Sequence, residues 1–95
     1  MGFPHKKYKR DYKDPRYIEF RKAVLKRDHY KCQMPSCSSK ARLQIHHIIR
    51  YADNILLRFT ISNGITLCRK HHDSIKGKEA YYAELFLKIV KRNTE

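Results

Sequence analysis

The stretch Cys68-Arg69-Lys70-His71-His72 decides how this chain folds, because it places three metal-binding side chains within five residues. A cysteine and a histidine three positions apart are a common pair of zinc ligands where a helix begins. The chain has one more short-spaced pair, Cys32 and Cys37, about thirty residues upstream. We therefore expect both pairs to close one structural zinc site with Cys3His ligation, formed by Cys32, Cys37, Cys68 and His71.

The shortness of the chain makes a structural metal useful. Ninety-five residues form one small domain, and a core of that size provides limited stability unless a metal or a disulfide adds to it. Three cysteines are an odd number, which disfavours the disulfide framework of a secreted protein. The sequence has neither the apolar length of a membrane span nor the apolar N-terminal segment of a secretion signal. We therefore expect an intracellular protein with thiolates on a metal.

The charge balance predicts a polyanionic partner. The formal net charge is +13 at pH 7. Nucleic acid is the first expectation for this partner, and an anionic membrane surface is the second, although the sequence shows no amphipathic anchor for a membrane. The other alternative is that the basic composition only aids solubility. Residues 1–13 are basic and aromatic and are expected to form a flexible tail, either simply solvated or lying along phosphates. Its candidate DNA contacts are Lys6, Lys7, Lys9 and Arg10.

The rest of the sequence predicts a small α+β domain over residues 14–95. Asp14 and Pro15 are typical of a helix start, and apolar residues then recur at helical spacing, with Arg27 and its basic neighbours mostly on the surface. Asn63-Gly64 is a turn signal, and Gly77 breaks a helical pattern. Helices are expected over residues 15–28, 69–76 and 78–91, and strands over residues 42–49 and 65–67.

Two stretches together match a known pattern. Ile45-His46-His47-Ile48-Ile49, followed by Asn63-Gly64-Ile65-Thr66-Leu67-Cys68-x-x-His71-His72, resembles the HNH endonuclease family. The resemblance extends upstream through Phe20-Arg21-Lys22-Ala23-Val24-Leu25-Lys26-Arg27-Asp28 to Cys32, so it covers residues 17–78. It implies the ββα-metal fold, in which the site lies between a two-stranded antiparallel sheet and a helix. It also implies the subclass whose site is framed by a zinc-binding tetrad, with residues 14–95 as the nuclease domain.

The resemblance implies a role for each matching position. His47 occupies the general-base position, and Asn63 the position that orients the base or its loop. His46 and His72 occupy the positions that bind the catalytic divalent metal. Most relatives have Cys where this chain has His71, which bears on zinc affinity, and many have Asp in place of His46, which bears on metal choice. Because His71 and His72 are adjacent, either imidazole can in principle take either metal.

The chemistry of these residues suits phosphodiester hydrolysis. A neutral imidazole, with an ordinary pKa of about 6.5, can accept a proton from water at neutral pH. A divalent cation can bind the scissile phosphate and stabilise the leaving oxygen. Two imidazole ligands favour Zn, Ni, Co or Mn, and Mg stays open because it can keep its waters. Neighbouring residues of a regular strand point to opposite faces of the sheet. His46 and His47 can both reach one phosphate only if the strand ends or twists there, so we expect regular strand pairing to fail close to His47.

These inferences predict a metal-dependent HNH endonuclease that nicks or cuts double-stranded DNA. Its expected cofactors are a structural zinc and one catalytic divalent cation, which is Mg, Mn, Ni, Co or Zn. We expect a monomer or weak dimer without a membrane partner, in the cytoplasm of a bacterial host, with phage encoding and phage-packaging or mobile-element partners as options. The alternative is a zinc-stabilised nucleic-acid-binding module without catalysis. Beyond the tail, DNA contacts are expected at Arg21, Arg50, Arg69 and Lys70.

Overall fold

A computed structural model describes residues 12–50 and 54–95 of the chain. Its helices are α1 (Pro15–Arg27), α2 (Arg69–Ser74) and α3 (Glu79–Thr94), and its strands are β1 (Leu43–His47) and β2 (Gly64–Cys68). Two short 3₁₀ turns, Ile55–Leu57 and Ile61–Asn63, lie between the strands. The small α+β fold class is confirmed, and β1, β2 and α2 follow one another in the expected ββα order. The predicted flexible tail lies outside the described residues except for Tyr12 and Lys13.

The first helix begins where the sequence predicts. The Asp14 carboxylate accepts a hydrogen bond from the backbone N–H of Arg16 at 2.8 Å, and Pro15 occupies the first turn, where its missing N–H costs nothing. The helix buries Tyr17, Phe20 and Val24 against the sheet. It therefore closes one face of the domain, as expected from its apolar spacing.

The two strands pair antiparallel, with Leu43 opposite Cys68 and His47 opposite Gly64. Strand β1 is shorter than the predicted residues 42–49, and the ladder ends at His47, close to where we expected it to fail. One further backbone hydrogen bond, 2.8 Å from the Ile48 N–H to the Asn63 carbonyl, follows the ladder. The end of β1 is therefore held against the residue that precedes β2.

The turn signal at Asn63-Gly64 has a different physical origin from the one expected. Asn63 ends a 3₁₀ turn, and Gly64 is already extended at φ −112°, which any residue can adopt. A Cβ added to Gly64 would lie 2.7 Å from Cζ of Phe20 and 2.9 Å from Cγ2 of Val24. The glycine is needed because α1 approaches the β2 backbone there too closely for any side chain.

The larger part of the core lies on the other face of the sheet, under α3. Phe86, Ile89 and Val90 of this helix pack against Ile65 and other buried residues, and Cys32 and Cys68 belong to the same cluster. Helix α3 extends beyond the predicted residue 91 to Thr94. Among the described residues, no helix combines the length and apolar character that crossing a membrane requires.

Candidate functional site

The four residues predicted to bind zinc come together. Cys32 follows α1, Cys37 lies in the next turn, and Cys68 and His71 lie at the junction of β2 and α2. Their ligand atoms all lie within 4.8 Å of one another. Nδ1 of His71 is 3.6 Å from Sγ of Cys32 and 3.4 Å from Sγ of Cys68. Tetrahedral zinc separates sulfur and nitrogen ligands by about 3.5 Å, so this cluster fits a metal such as zinc.

Backbone hydrogen bonds shape the loop that carries the first cysteine pair. The Cys32 N–H donates to the Ser39 carbonyl at 2.8 Å, and the Cys37 N–H donates to the Met34 carbonyl at 2.9 Å. The neighbouring Gln33 N–H donates to the carbonyl of Thr66 in β2, also at 2.9 Å. The loop is thus fastened to the strand that ends at Cys68, which brings the two cysteine pairs to one place.

The thiols of this cluster differ in acidity. Burial raises the pKa of Cys32 to about 11. Burial also acts to raise the pKa of Cys68, but the backbone N–H of His71 and the thiols of Cys32 and Cys37 outweigh it, so the pKa of Cys68 is lowered. Cys68 therefore has the greater thiolate character, and metal binding would release the remaining thiol protons.

His46 and His72 lie side by side. Their ring centroids are 6.1 Å apart with an interplanar angle of 75°, and His46 also packs edge-on against Phe86 at 5.5 Å. The His46 residue is 8% exposed, whereas the His72 side chain is 28% exposed. Nδ1 of His72 is 3.8 Å from the Asp73 carboxylate. In this arrangement His71 faces the cysteine sulfurs and His72 faces His46, and the latter two rings could share a divalent cation.

The side chain of His47 lies on the face of the sheet opposite to that of His46. Its ring stacks on Phe20 with centroids 5.0 Å apart and an interplanar angle of 19°. Nε2 of His47 is 2.9 Å from the carbonyl oxygen of Arg58. Because a carbonyl only accepts hydrogen bonds, Nε2 carries the proton and Nδ1 is the basic nitrogen of the neutral ring. His46 and His47 thus contact different helices, as strand alternation requires.

Asn63 joins two segments of the connection between the strands. Its side-chain oxygen accepts from the Ile49 N–H at 2.8 Å, and its amide donates to the carbonyls of Ile49 at 3.0 Å and Leu57 at 3.2 Å. Ile49 lies two residues after His47, and Leu57 precedes Arg58, whose carbonyl contacts His47. The buried Asn63 amide therefore holds both segments that position the His47 ring.

The predicted DNA contacts are only partly described. Arg50, Arg69 and Lys70 are exposed and Arg21 is half-buried. Arg69 also forms an exposed ion pair with Asp73, with its Nε 3.2 Å from the carboxylate. The tail residues Lys6, Lys7, Lys9 and Arg10 lie outside the described residues.

Sequence reasoning missed Arg58 and placed Arg27 wrongly. Arg58 acts through its backbone carbonyl, for which its side chain provides no signal. Arg27 was expected among the surface residues of α1, but its side chain is only 9% exposed because it pairs with the fully buried Asp28. The adjacent opposite charges at the end of the helix were the available signal.

Comparisons with known proteins bear on this arrangement. The family model described as HNH endonuclease matches residues 32–78, which include the metal-binding cluster, the strand pair and α2. Neither the curated proteins nor the solved structures that were searched include a match to the chain. HNH-family proteins generally hydrolyse nucleic acids. The resemblance to the HNH endonuclease family inferred from the sequence is therefore confirmed over residues 32–78, the part of the chain that the family model matches.

Proposed function

We propose that this chain is a metal-dependent endonuclease that hydrolyses phosphodiester bonds of double-stranded DNA. The observation that carries the proposal is the arrangement of three histidines at the end of β1 and on α2. His46 lies beside His72, and His47 is held by the Arg58 carbonyl. Alternation along the strand explains how adjacent histidines come to have separate surroundings.

In the proposed mechanism His47 is the general base. The contact with the Arg58 carbonyl keeps the proton on Nε2, so Nδ1 takes the proton of the attacking water. Stacking on Phe20 restricts rotation of the ring. Asn63 supports the base indirectly, because it ties Ile49 to Leu57 rather than contacting the reacting atoms itself. Its proposed role is to keep the imidazole oriented.

His46 and His72 would hold the catalytic divalent cation, which is Mg, Mn, Ni, Co or Zn. A cation bound there would supply Lewis-acid stabilisation of charge on the scissile phosphate and the leaving oxygen. Two neutral imidazoles suit the later transition metals best, although Mg can act while keeping its waters. The tetrad of Cys32, Cys37, Cys68 and His71 would hold a separate structural zinc that fixes the start of α2.

The positive charge of the chain supports DNA as the substrate. Arg50, Arg69 and Lys70 are exposed, and the net charge of +13 favours contacts to phosphates. We infer nonspecific phosphate contacts from these residues, from Arg21 and from the basic tail. For the cellular setting, we propose a monomer or weak dimer in the bacterial cytoplasm, with phage-packaging or mobile-element partners. This proposal rests on the family resemblance.

The second candidate is a zinc-stabilised nucleic-acid-binding module without catalysis. The observation that favours it is the burial of His47, which is only 3% exposed. Water and phosphate can reach that ring only if DNA binding opens its surroundings. A binding module would need the basic surface and the cysteine cluster. The Arg58 carbonyl that orients the His47 ring would, however, have no function in it.

Incubation of supercoiled plasmid with each candidate metal separates the two functions. Nicked or linear product is expected from the wild type, and at least about 100-fold less from His47→Ala, since a general base typically contributes 10²–10⁴-fold. His29→Asn is a matched control, because His29 is exposed and its φ of 59° is one that Asn tolerates. DNA binding without cleavage under every metal would establish the binding module instead.

A further inference from the structure

A buried ion pair, Arg27–Asp28, lies at the end of α1. Nε and Nη2 of Arg27 lie 2.8 Å from Oδ1 and Oδ2 of Asp28, forming a bidentate pair. The Asp28 side chain is fully buried and that of Arg27 is 9% exposed. A buried ion pair recovers its desolvation cost only through good geometry and additional hydrogen bonds. Those additional bonds connect the pair to the candidate site.

The Arg27 guanidinium also binds the backbone around Asn63. Nη1 donates to the Ile61 carbonyl at 2.9 Å, and Nη2 donates to the Gly64 carbonyl at 2.6 Å. These two carbonyls lie on either side of Asn63 along the chain. A guanidinium can serve the carboxylate and two separate carbonyls at once because its five donors have a fixed planar arrangement; an ammonium group lacks that geometry.

The carboxylate of the pair is anchored from two other elements, β2 and α3. Oδ2 of Asp28 accepts from the N–H of Thr66 in β2 at 2.9 Å, and Oδ1 accepts from the Asn93 amide of α3 at 2.9 Å. Asn93 also donates to the side-chain oxygen of Gln33, whose amide donates to the Asp28 carbonyl at 2.8 Å. Asp28 is therefore held by Thr66 as well as by Asn93, so the Arg27–Asp28 pair does not depend on Asn93 alone.

We infer that Arg27 is a positioning residue for the nuclease step, an inference that rests on the proposed function. It holds the backbone on both sides of Asn63, so that the Asn63 carbonyl and amide keep Ile48 and Ile49 in register. Those residues directly follow His47, and the same amide holds the turn that leads to the Arg58 carbonyl. Arg27 thus acts on the orientation of the base through hydrogen bonds, without contacting it.

The test compares two substitutions, each of which removes hydrogen bonds from the network around Arg27 and Asp28. Arg27→Lys keeps the positive charge but loses the guanidinium fork, whereas Asn93→Leu removes the far anchor of Asp28 and leaves both carbonyl contacts of Arg27 in place. Single-turnover cleavage and DNA affinity are measured at saturating metal, on protein whose zinc content and folded fraction are known. Arg27→Lys is expected to cut about 10- to 100-fold more slowly, the scale of a small misplacement of reacting groups, with DNA affinity changed less than about twofold.

Chemical rescue of a second Arg27 variant and the Asn93→Leu control provide two further tests. Guanidinium ion below denaturing concentrations is expected to restore part of the cleavage rate of Arg27→Ala, and Asn93→Leu is expected to cleave within about threefold of the wild type. A rate for Arg27→Lys equal to that of the wild type overturns the inference. So does an equal loss in both variants, because that result would indicate a role in overall folding alone.

A second measurement keeps the inference testable if the wild type does not cleave. Amide hydrogen exchange of Ile48 and Ile49 reports the register at the end of β1, whatever the activity. Exchange at these amides is expected to be at least about tenfold faster in Arg27→Lys than in Asn93→Leu. Cleavage failure with this difference present rejects the proposed function alone, whereas equal exchange in the two variants rejects the positioning role.

Discussion

The rings of Phe20 and His47 stack with centroids 5.0 Å apart and an interplanar angle of 19°. Phe20 belongs to α1, which precedes the segment matched by the family model, yet it forms one wall around the proposed base. Arg27 of the same helix binds the backbone beside Asn63. Helix α1 therefore both closes the core and supports the proposed catalytic strand end.

Replacing Gly64 with Ala is expected to disturb this stack. The new Cβ would meet Phe20 at 2.7 Å and Val24 at 2.9 Å, so these side chains, alone or together with α1, must move away from β2. Overpacking of this kind typically lowers the free energy of unfolding by about 1–3 kcal/mol. Urea denaturation would measure the loss, and plasmid cleavage should fall with it because Phe20 moves off His47.

Gly77 provides the control for that substitution. It has φ +82° and open space around its Cα, so Gly77→Asn adds a side chain without a clash and in a conformation that Asn tolerates. A stability change within about 0.5 kcal/mol is expected at such a surface position. Equal destabilisation by Gly64→Ala and Gly77→Asn would contradict the close-approach explanation.

Asn63→Asp is expected to damage the connection between the strands while keeping its shape. A carboxylate cannot donate, so it would place oxygen against the carbonyls of Ile49 and Leu57. Leaving buried groups unsatisfied costs about 1–3 kcal/mol. Urea unfolding would measure this loss, and Thr60→Ser, which retains the hydroxyl bonded to the Leu56 carbonyl, is the nearby control. Wild-type stability in Asn63→Asp would refute the proposed bracing role.

Removal of zinc is expected to loosen the domain and abolish cleavage together. Zinc that binds only the folded state adds about 4 kcal/mol of stability when it is present at 1,000 times its dissociation constant. Thermal melting with and without chelator would measure the shift, and zinc readdition should restore both stability and cleavage. Cys37→Ser should lower the zinc content, whereas Ser38→Ala, one residue away and exposed, should not. Unchanged melting in chelator would argue against the site.

DNA affinity is expected to fall steeply with salt, because phosphate contacts release condensed counterions. Replacing one phosphate-binding cation lowers the slope of log Kd against log salt by about 1. Lys70→Ala on the exposed face of α2 is the test, measured by fluorescence anisotropy on duplexes of unrelated sequence. Lys88→Ala removes the same charge from the exposed face of α3 and serves as the control. Equal slopes for wild type and Lys70→Ala would exclude this contact.

The charge that caps α1 is expected to make stability depend on pH. The side chain of Arg16, together with its backbone N–H, lowers the pKa of Asp14. Because the pKa is lower in the folded state, the stabilisation is complete above the ordinary value near 3.9 and is lost as pH falls through the folded value. Wild type should therefore exceed Asp14→Asn in stability at neutral pH, and the difference should shrink in acid. A difference that grows below about pH 4 would contradict this sign.

Patterns between near neighbours determined much of the molecule. The capping residue Asp14 predicted the start of α1, and the spacing within Cys32–Cys37 and Cys68–His71 predicted the metal cluster. Hydrophobic periodicity located α3, although its last turn extends to Thr94. Each of these features depends on side chains a few positions apart, whose geometry a helix or a short loop already sets.

Only the tertiary structure decided the surroundings of the proposed base. Arg27 binds carbonyls 34 and 37 positions along the chain, and Asn93 reaches Asp28 across 65 positions. Gly64 resembled a turn residue, yet its requirement comes from the approach of α1. No local pattern encodes such contacts, because they join residues far apart in the sequence and several of them use backbone carbonyls, which every residue type has. The sequence by itself determined which residues are proposed to carry the chemistry, and the packing of α1 and α3 on the sheet decided how they are held.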